Sequence, residues 1–282
     1  MELFTLLPAW YQCTIIFLFG LIIGSFLNVV IYRYHTSRSL NGHSHCLSCG
    51  ETLRWYELFP LVSYVCLFGR CRTCGCKIPA RYFVVELSTA LLFLLAFIYV
   101  PWGLLVPFSL LLIAVLMVIA VYDIYHMVIP NQLVWISCGF AAVYFLLEYG
   151  LVWNMSIFLA HAGAALGAFL FYGGLWFVSK GRWIGFGDAK LAIPLGFMLG
   201  IPGAFSFVVF SFWTGAIISL GLMGVPALFR IIRAHCSSMP VVNYSKYFTM
   251  SSEVPFAPFM IAAFLLVYIF GFDVISLVSS LI

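Results

Sequence analysis

The hydrophobic positions of this chain form long continuous runs that short polar breaks separate. Runs of about 20 apolar residues are long enough to cross the hydrocarbon core of a bilayer as α-helices. The sixth run is short, and the glycines and proline near its end predict a tilted or broken helix that protein surrounds. The pattern predicts about eight transmembrane helices, near residues 13–32, 83–100, 104–122, 132–149, 157–178, 189–201, 204–229 and 255–281.

The composition agrees with an all-α polytopic membrane protein. Hydrophobic residues make up 65% of the chain and charged residues only 8%, whereas about 25% of the residues in soluble domains are charged. The first apolar run ends in Arg33, and Glu2 stands where a cleaved signal carries basic residues, so we expect a retained helix. The lipid bilayer is therefore an expected partner, and no nucleic-acid partner is expected.

The basic residues predict the orientation of the helices. All 13 lysines and arginines fall after the first span, around the fifth-to-sixth connection, or after the seventh span. Because cytoplasmic loops carry the excess of positive charge, both termini are predicted to lie on the outer side of the membrane. This topology places Asp123 and Asp188 at the cytoplasmic ends of the third and sixth spans.

Two carboxylates are the leading candidates for chemistry. Asp188 ends a Gly-Phe-Gly-Asp box at the start of an apolar run, and Asp123 ends another run. A carboxylate at membrane depth costs at least ~2.5–3.5 kcal/mol, which marks a functional site. Two such groups a few ångströms apart would share one proton, so that one activates water and the other protonates a scissile carbonyl. We expect Gly185, Gly187 and Lys190 to support this pair.

The residues alone leave alternatives open for the two acids. Asp123 could pair with Arg182, and Asp188 with a basic residue of another loop, as structural ion pairs. Lys190 is a poor partner for Asp188, because helical residues two positions apart do not face each other. A proton- or metal-coupled transporter that uses the two acids as a relay is the other functional alternative.

The loop at about 33–82 contains two Cys-x-x-Cys pairs. Four thiolates can surround Zn²⁺ tetrahedrally, and the metal would supply folding energy that so small a module cannot obtain from a core. Unliganded thiols in a partly disordered loop are the alternative, and Cys76 is expected to be a bystander. The predicted metal ligands are Cys46, Cys49, Cys71 and Cys74.

Small residues predict contacts between helices. The pair Gly20 and Gly24, followed by Asn28, would let a neighbouring helix approach closely, with Asn28 hydrogen-bonding across the contact or touching substrate. Similar spacings occur at Gly163 and Gly167 and at Gly196 and Gly200. The aromatic stretch 55–64 between the cysteine pairs would anchor the module at the membrane interface or shape a groove for a substrate helix.

Taken together, these motifs resemble the type IV prepilin peptidases that serve type IV pili and type II secretion. The resemblance covers nearly the whole chain, and the motifs follow the order of the family. The chain departs from the family pattern at Ala90, Asn131 and Ala257. The motifs are Gly24–Arg33, both cysteine pairs with residues 55–64 between them, Arg81–Leu87, Asp123 with Ile129–Asn131, Gly185–Leu191 and Pro255–Phe259.

The resemblance implies an aspartic endopeptidase of the bacterial inner membrane. Such enzymes cut prepilin or pseudopilin leader peptides after a glycine at the cytoplasmic face, and many also methylate the new N-terminus with S-adenosylmethionine. Asp123 and Asp188 carry over as the catalytic pair, and the four predicted ligands as a structural zinc tetrad. The sequence does not specify which pilus or secretion system is served, the residues that bind S-adenosylmethionine, or the oligomeric state.

The same resemblance implies a division of the chain into three parts. Residues 1–32 would form the first transmembrane helix, and residues 33–82 a cytoplasmic zinc-binding module. Residues 83–282 would form a seven-helix membrane peptidase domain.

Overall fold

A computed structural model describes residues 7–34, 42–101, 103–150, 154–234 and 254–274, with the backbone alone for 222–234. In these ranges the regular structure is helical, and the only extended pairing is two single-residue bridges, His45 with Thr52 and Arg70 with Lys77, each closing one loop of the cysteine-rich module. A 3₁₀ turn covers Trp55–Leu58. The helices are α1 Ala9–Arg33, α2 Val62–Cys66, α3 Arg81–Tyr99, α4 Leu105–His126, α5 Asn131–Tyr149, α6 Met155–Ser179, α7 Phe186–Ala234 and α8 Ala257–Phe270.

Six of the described helices are long and apolar enough to cross a membrane, and α8 is a shorter apolar helix. The predicted all-α multi-pass architecture is confirmed. Many large apolar side chains on these helices remain exposed, among them Trp135 and Phe177. A soluble protein rarely leaves such extended apolar surface uncovered, whereas lipid covers it without cost.

Helix α7 joins the sixth and seventh predicted spans in one element with a break inside it. Gly200 has φ 66° and ψ −177°, which no α-helix contains. This backbone conformation is essentially restricted to glycine. A Cβ at Gly200 would also lie 3.4 Å from the His161 ring. The break predicted from the glycines and Pro202 is therefore present.

The described helices divide into two compact units. The first contains α1 to α5 together with the cysteine-rich module, and the second contains α6 to α8. In the first unit α1 packs on α3, and in the second α7 packs on α8. The three-part division of the chain into roles stays a prediction.

The contact between α1 and α3 depends on two glycines. A Cβ at Gly20 would lie 2.6 Å from the Cα of Ala90, and a Cβ at Gly24 would lie 2.8 Å from the Cα of Glu86. Both distances are too short for any side chain, so the two backbones approach as closely as they do only because these residues are glycines. The contact predicted for this pair is confirmed.

In the second unit, small residues also line a contact between α6 and α7. A Cβ at Gly196 would lie 3.1 Å from the Ala164 carbonyl oxygen and 3.1 Å from the Ala168 Cβ. Gly163 and Gly167 are exposed, and a Cβ at either would meet no described atom within 4 Å. The helix contact predicted for Gly163 and Gly167 was wrong, because the packed face of α6 carries the next residues, Ala164 and Ala168, instead.

Some predicted features lie outside the described residues. These are Glu2, the basic residues Arg38 and Lys246, and the last part of the eighth span, 275–281.

Candidate active site and cysteine cluster

Asp188 lies in the first turn of α7, where the backbone holds its carboxylate. The Gly185 N–H donates to Asp188 Oδ2 at 3.0 Å, and the Asp188 N–H donates to the Gly185 carbonyl at 3.2 Å. An acidic side chain that reaches back in this way satisfies one of the unpaired donors of a helix start. The Asp188 side chain is buried, and it lies at the positive end of the α7 dipole.

The predicted supporting residues surround this turn. Gly185 supplies the donor, and a Cβ there would lie 3.3 Å from Asp188 Oδ2. Gly187 lies within the first turn of α7. The Lys190 ammonium lies 5.0 Å from the centroid of the Phe186 ring, a cation–π contact that helps to hold this helix start.

Asp123 lies in the last turn of α4 and is also buried. The neighbouring Tyr122 ring contacts the Tyr34 ring edge to face at a centroid distance of 5.3 Å. The Tyr34 hydroxyl donates to Gln132 Oε1 at 3.0 Å, so the residue that follows α1 contacts both the end of α4 and the start of α5. Asp123 therefore lies at the negative end of the α4 dipole.

The cysteine pairs sit in two matching turns. In the first, the Cys46 N–H donates to the Glu51 carbonyl at 2.8 Å, and the Gly50 N–H donates to the Cys46 carbonyl at 3.0 Å. The second turn repeats both contacts at 2.8 and 2.9 Å, from Cys71 and Gly75. Both glycines have positive φ, which lets the chain reverse after the second cysteine of each pair.

The two turns bring five thiols together. Cys46 Sγ lies 3.8 Å from Cys74 Sγ and 3.5 Å from Cys76 Sγ. With Cys71, these sulfurs all lie within 4.8 Å of one another, and the Cys49 thiol contacts those of Cys46 and Cys74. Zinc–sulfur bonds of about 2.3 Å space tetrahedral sulfurs about 3.8 Å apart, so the cluster fits a metal ion.

The sequence prediction treated Cys76 as a bystander, and the structure places it inside the cluster. The signal in the sequence that places Cys76 close to the other thiols is the repeat of the two cysteine turns. Cys76 occupies the position in the second turn that Glu51 occupies in the first, and its carbonyl closes the turn. Cys49, a predicted ligand, lies beside the four clustered sulfurs. The identity of the metal stays a prediction.

The first thiol of the cluster is prepared for metal binding. Backbone N–H groups of Cys49 and Ser48 donate to the Cys46 sulfur and lower its pKa to about 6. Metals bind the thiolate form, so a donor-rich turn of this kind raises the metal affinity at neutral pH.

A cavity of about 200 Å³ lies in the first unit, between α1, the cysteine module and the start of α3. Its wall includes Asn28, Cys46 and Glu86. Asn28 Nδ2 donates to the Tyr82 carbonyl at 3.1 Å and so joins α1 to the first turn of α3. The predicted hydrogen bond of Asn28 across the helix contact is confirmed, and the same residue also faces the cavity.

Comparison with known proteins agrees with these features. Residues 18–100 match the Bacterial Peptidase A24 N-terminal domain, and residues 110–220 match the Type IV leader peptidase family. A prepilin leader peptidase/N-methyltransferase of Bacillus subtilis is 31% identical over 264 residues, which cover 93% of this chain and 96% of the relative. The chain belongs to the type IV leader peptidase family. The family resemblance found in the sequence is thereby confirmed.

Further relatives carry the same name. The one from Aeromonas salmonicida is 32% identical over 268 residues, covering 82% of this chain and 86% of the relative. The one from Myxococcus xanthus is 35% identical over 218 residues, covering 73% of this chain and 61% of the relative. No solved structure matches the chain. Within the two matched regions, Asp123 and Asp188 fall in the peptidase part, and the cysteine cluster and the cavity in the N-terminal part.

Proposed function

We propose that this protein is an aspartic endopeptidase of the bacterial inner membrane that removes the leader peptides of type IV prepilins or pseudopilins. It cuts after a glycine at the cytoplasmic face, has both termini in the periplasm, and methylates the new N-terminus with S-adenosylmethionine. The observation that carries the proposal is a pair of buried carboxylates, Asp123 and Asp188, at helix ends in the region matched to the leader peptidase family. The names of the relatives support both activities.

The helix ends suggest a role for each acid once the two share a bound water. Asp188, at a helix N-terminus, is the ionised base that takes a proton from the water. The water oxygen then bonds to the scissile carbonyl carbon while Asp123 protonates the carbonyl oxygen. Collapse of this adduct breaks the C–N bond while Asp188 gives the proton it took to the leaving nitrogen and Asp123 takes a proton back from the adduct. The products are a free amine and a carboxylic acid, which ionises to the carboxylate.

Substitution of each acid tests the peptidase. We expect Asp123→Asn and Asp188→Asn each to lower leader cleavage by at least about 10²–10⁴-fold, the usual contribution of general acid–base catalysis. Asp273→Asn is the matched control, because this acid of the second unit accepts a hydrogen bond from Ser206 at 2.7 Å and should leave cleavage intact. Gel mobility of a prepilin reports the cleavage. Normal cleavage by either the Asp123 or the Asp188 variant would contradict the assignment of these two acids as the catalytic pair.

Infrared spectroscopy with ¹³C-labelled aspartate tests the roles of the two acids. A protonated carboxyl band near neutral pH should disappear in Asp123→Asn and persist in Asp188→Asn. The reverse result would exchange the assigned roles.

The cysteine cluster is proposed as a structural zinc site that folds the cytoplasmic module. Cys46, Cys49, Cys71 and Cys74 are the ligands proposed from the sequence, and the structure adds Cys76 as a fifth thiol. S-adenosylmethionine, when bound, supplies an electrophilic methyl group. The transporter alternative predicts ion or solute flux in proteoliposomes without leader cleavage, and the matched relatives carry the names of processing enzymes instead.

A further inference from the structure

Segment 55–68 of the cysteine-rich module carries its large apolar side chains on the outside. The segment contains the 3₁₀ turn, α2 and the loop that follows α2. Exposed apolar clusters mark the places where a protein contacts lipid or another molecule. These side chains, which we call the apolar face, are 43–89% exposed and belong to Trp55, Leu58, Phe59, Val62, Val65 and Phe68.

The backbone of this segment makes a strained turn whose N–H groups have their partners inside the protein. Leu61 has φ 58° and ψ −48°, and the Val62 N–H donates to the Pro60 carbonyl at 2.6 Å. Such a three-residue turn of positive φ is rare and strained. The Leu61 N–H donates to Glu86 Oε2 at 2.9 Å. Irregular backbone at membrane depth is tolerated only where the protein satisfies its polar groups, and the N–H groups of this turn meet that condition.

The hydrogen bond between Leu61 and Glu86 fixes the depth of the segment. Helix α3 begins at Arg81 and is long and apolar enough to cross a membrane. Glu86 lies in its second turn, about 7–8 Å from the helix start at 1.5 Å per residue. The Tyr64 ring of α2 contacts the Phe83 ring at a centroid distance of 5.4 Å. The segment therefore packs against the first two turns of a spanning helix, and interfacial segments lie at a similar depth of about 5–10 Å.

Two spanning helices hold the segment at one surface of the membrane. The module connects the end of α1 at Arg33 with the start of α3, so both of its ends are fixed at the same surface. Val84, the neighbour of Phe83 in the first turn of α3, is exposed. The lipid-facing surface of α3 thus begins at the level of the contact with α2, and lipid is present at the level of the apolar face.

Basic side chains border the apolar face. Arg70 and Lys77 form a bridge just after Phe68, and both are exposed. The glutamates of the module share a small polar cavity with Arg54 and Arg72 instead. Lipid headgroups carry phosphate, and basic side chains beside an apolar face are typical of segments that lie in the membrane interface. The charge at this edge therefore suits the phosphate layer above the acyl chains.

We propose that the apolar face lies in the membrane leaflet beside α1 and α3, with its side chains at the level of the upper acyl chains. Glu86 is a positioning residue that holds the Leu61 turn against α3 at this depth. The second cysteine turn follows directly after Phe68, so the docked segment keeps the cysteine cluster at the membrane surface. This proposal depends on neither the peptidase nor the methylating activity.

Fluorescence quenching of the full-length protein in nanodiscs tests the proposal. The chain has eight tryptophans, so the signal lost in Trp55→Phe isolates Trp55. Phospholipid brominated at the top of its acyl chains should reduce this signal by roughly half or more, because its bromines lie at the depth of interfacial segments. Aqueous iodide should leave the signal nearly unchanged. Trp135→Phe is the matched control, because Trp135 is exposed in the second turn of the spanning helix α5.

Two quenching results would overturn the proposal. In the first, brominated lipid quenches Trp135 and not Trp55, which would place the apolar face away from the acyl chains. In the second, an added prepilin N-terminal peptide abolishes the lipid quenching of Trp55, which would make the face a substrate-binding surface.

Two variants of Glu86 test its positioning role with the same measurement. Glu86→Gln keeps an acceptor for the Leu61 N–H and should retain the lipid quenching of Trp55. Glu86→Ala leaves this N–H without its acceptor and should lower the quenching by roughly two-fold, because a buried donor that loses its partner destabilises the docked turn. Equal quenching in the two variants would contradict the role of Glu86.

Cross-linking of the unaltered protein is the second measurement if a substituted protein fails to fold. A phospholipid with a photoreactive acyl chain labels the residues that lie in the leaflet. Trypsin cuts after Arg54 and Arg70 and so releases residues 55–70 with the whole apolar face. Label in this peptide would support the proposal, and label confined to the spanning helices would contradict it. Leader cleavage enters neither measurement, so failure of this proposal is distinguishable from failure of the proposed peptidase.

Discussion

The backbone N–H of Gly185 donates to the carboxylate of Asp188, and the backbone N–H of Asp188 donates back to the Gly185 carbonyl. The candidate catalytic acid is therefore oriented by the backbone of its own motif. A Cβ at Gly185 would lie 3.3 Å from Oδ2, so the glycine three positions before the acid leaves room for the carboxylate.

Replacement of the donor at this position should reduce cleavage. Gly185→Pro removes the N–H, and we expect kcat/KM for a prepilin peptide to fall about 10- to 100-fold, the value of one hydrogen bond to a charged group. Gly185→Ala keeps the N–H and serves as the control, with a smaller loss. Equal losses in the two variants would show that space, rather than the hydrogen bond, controls the position of Asp188.

The contact between α1 and α3 should not tolerate even a methyl group. We expect Gly20→Ala to destabilise the protein by about 1–3 kcal/mol, because its Cβ would lie 2.6 Å from the Ala90 backbone. Thermal unfolding in detergent measures the effect. Gly163→Ala is the matched control on an exposed helix face and should be neutral or stabilising by up to about 1 kcal/mol. Similar melting temperatures for the two variants would contradict the described contact.

The five thiols of the cluster predict redundancy in the metal site. Since a tetrahedral ion needs four ligands, we expect Cys49→Ser and Cys76→Ser each to retain about one zinc per chain, and the double variant to lose it. Cys71→Ser should lose it alone, because Cys71 belongs both to the four clustered sulfurs and to the four ligands predicted from the sequence. Metal analysis of the purified proteins gives the stoichiometry. Loss of zinc from the single Cys49 variant would show that Cys76 cannot replace it.

A buried hydrogen bond should contribute measurably to the second unit. The Tyr172 hydroxyl lies 2.6 Å from Ser211 Oγ, and the Ser211 hydroxyl donates to the Val208 carbonyl. Tyr172→Phe leaves a buried acceptor unsatisfied and should lower the free energy of unfolding by about 1–3 kcal/mol.

A double-mutant cycle with Ser211→Ala checks this assignment. The cost of Tyr172→Phe should be smaller in the Ser211→Ala background than in the unaltered protein, because the shared bond is already lost. If the costs of Tyr172→Phe and Ser211→Ala are additive, the lost stability does not come from the hydrogen bond between these two side chains.

Local features of the sequence determined much of this protein. Hydropathy located the spans, because a segment that crosses lipid must be apolar over its own length whatever packs beside it. The Gly-Phe-Gly-Asp box placed Asp188 at a helix start, and the glycine near Pro202 marked the break in α7. The two cysteine turns were also readable, since each is a contact among residues that are close in sequence.

The tertiary structure decided which faces and loops meet. Gly163 with Gly167 and Ala164 with Ala168 have the same helical spacing, and only the packing of α7 selects the alanines. The contact of Leu61 with Glu86 joins residues 25 positions apart through a strained turn that no local preference predicts. Cys76 joins the cluster because two distant turns face each other. Helix rotation and loop docking depend on the whole set of neighbours, whereas hydropathy and turn geometry depend on adjacent residues.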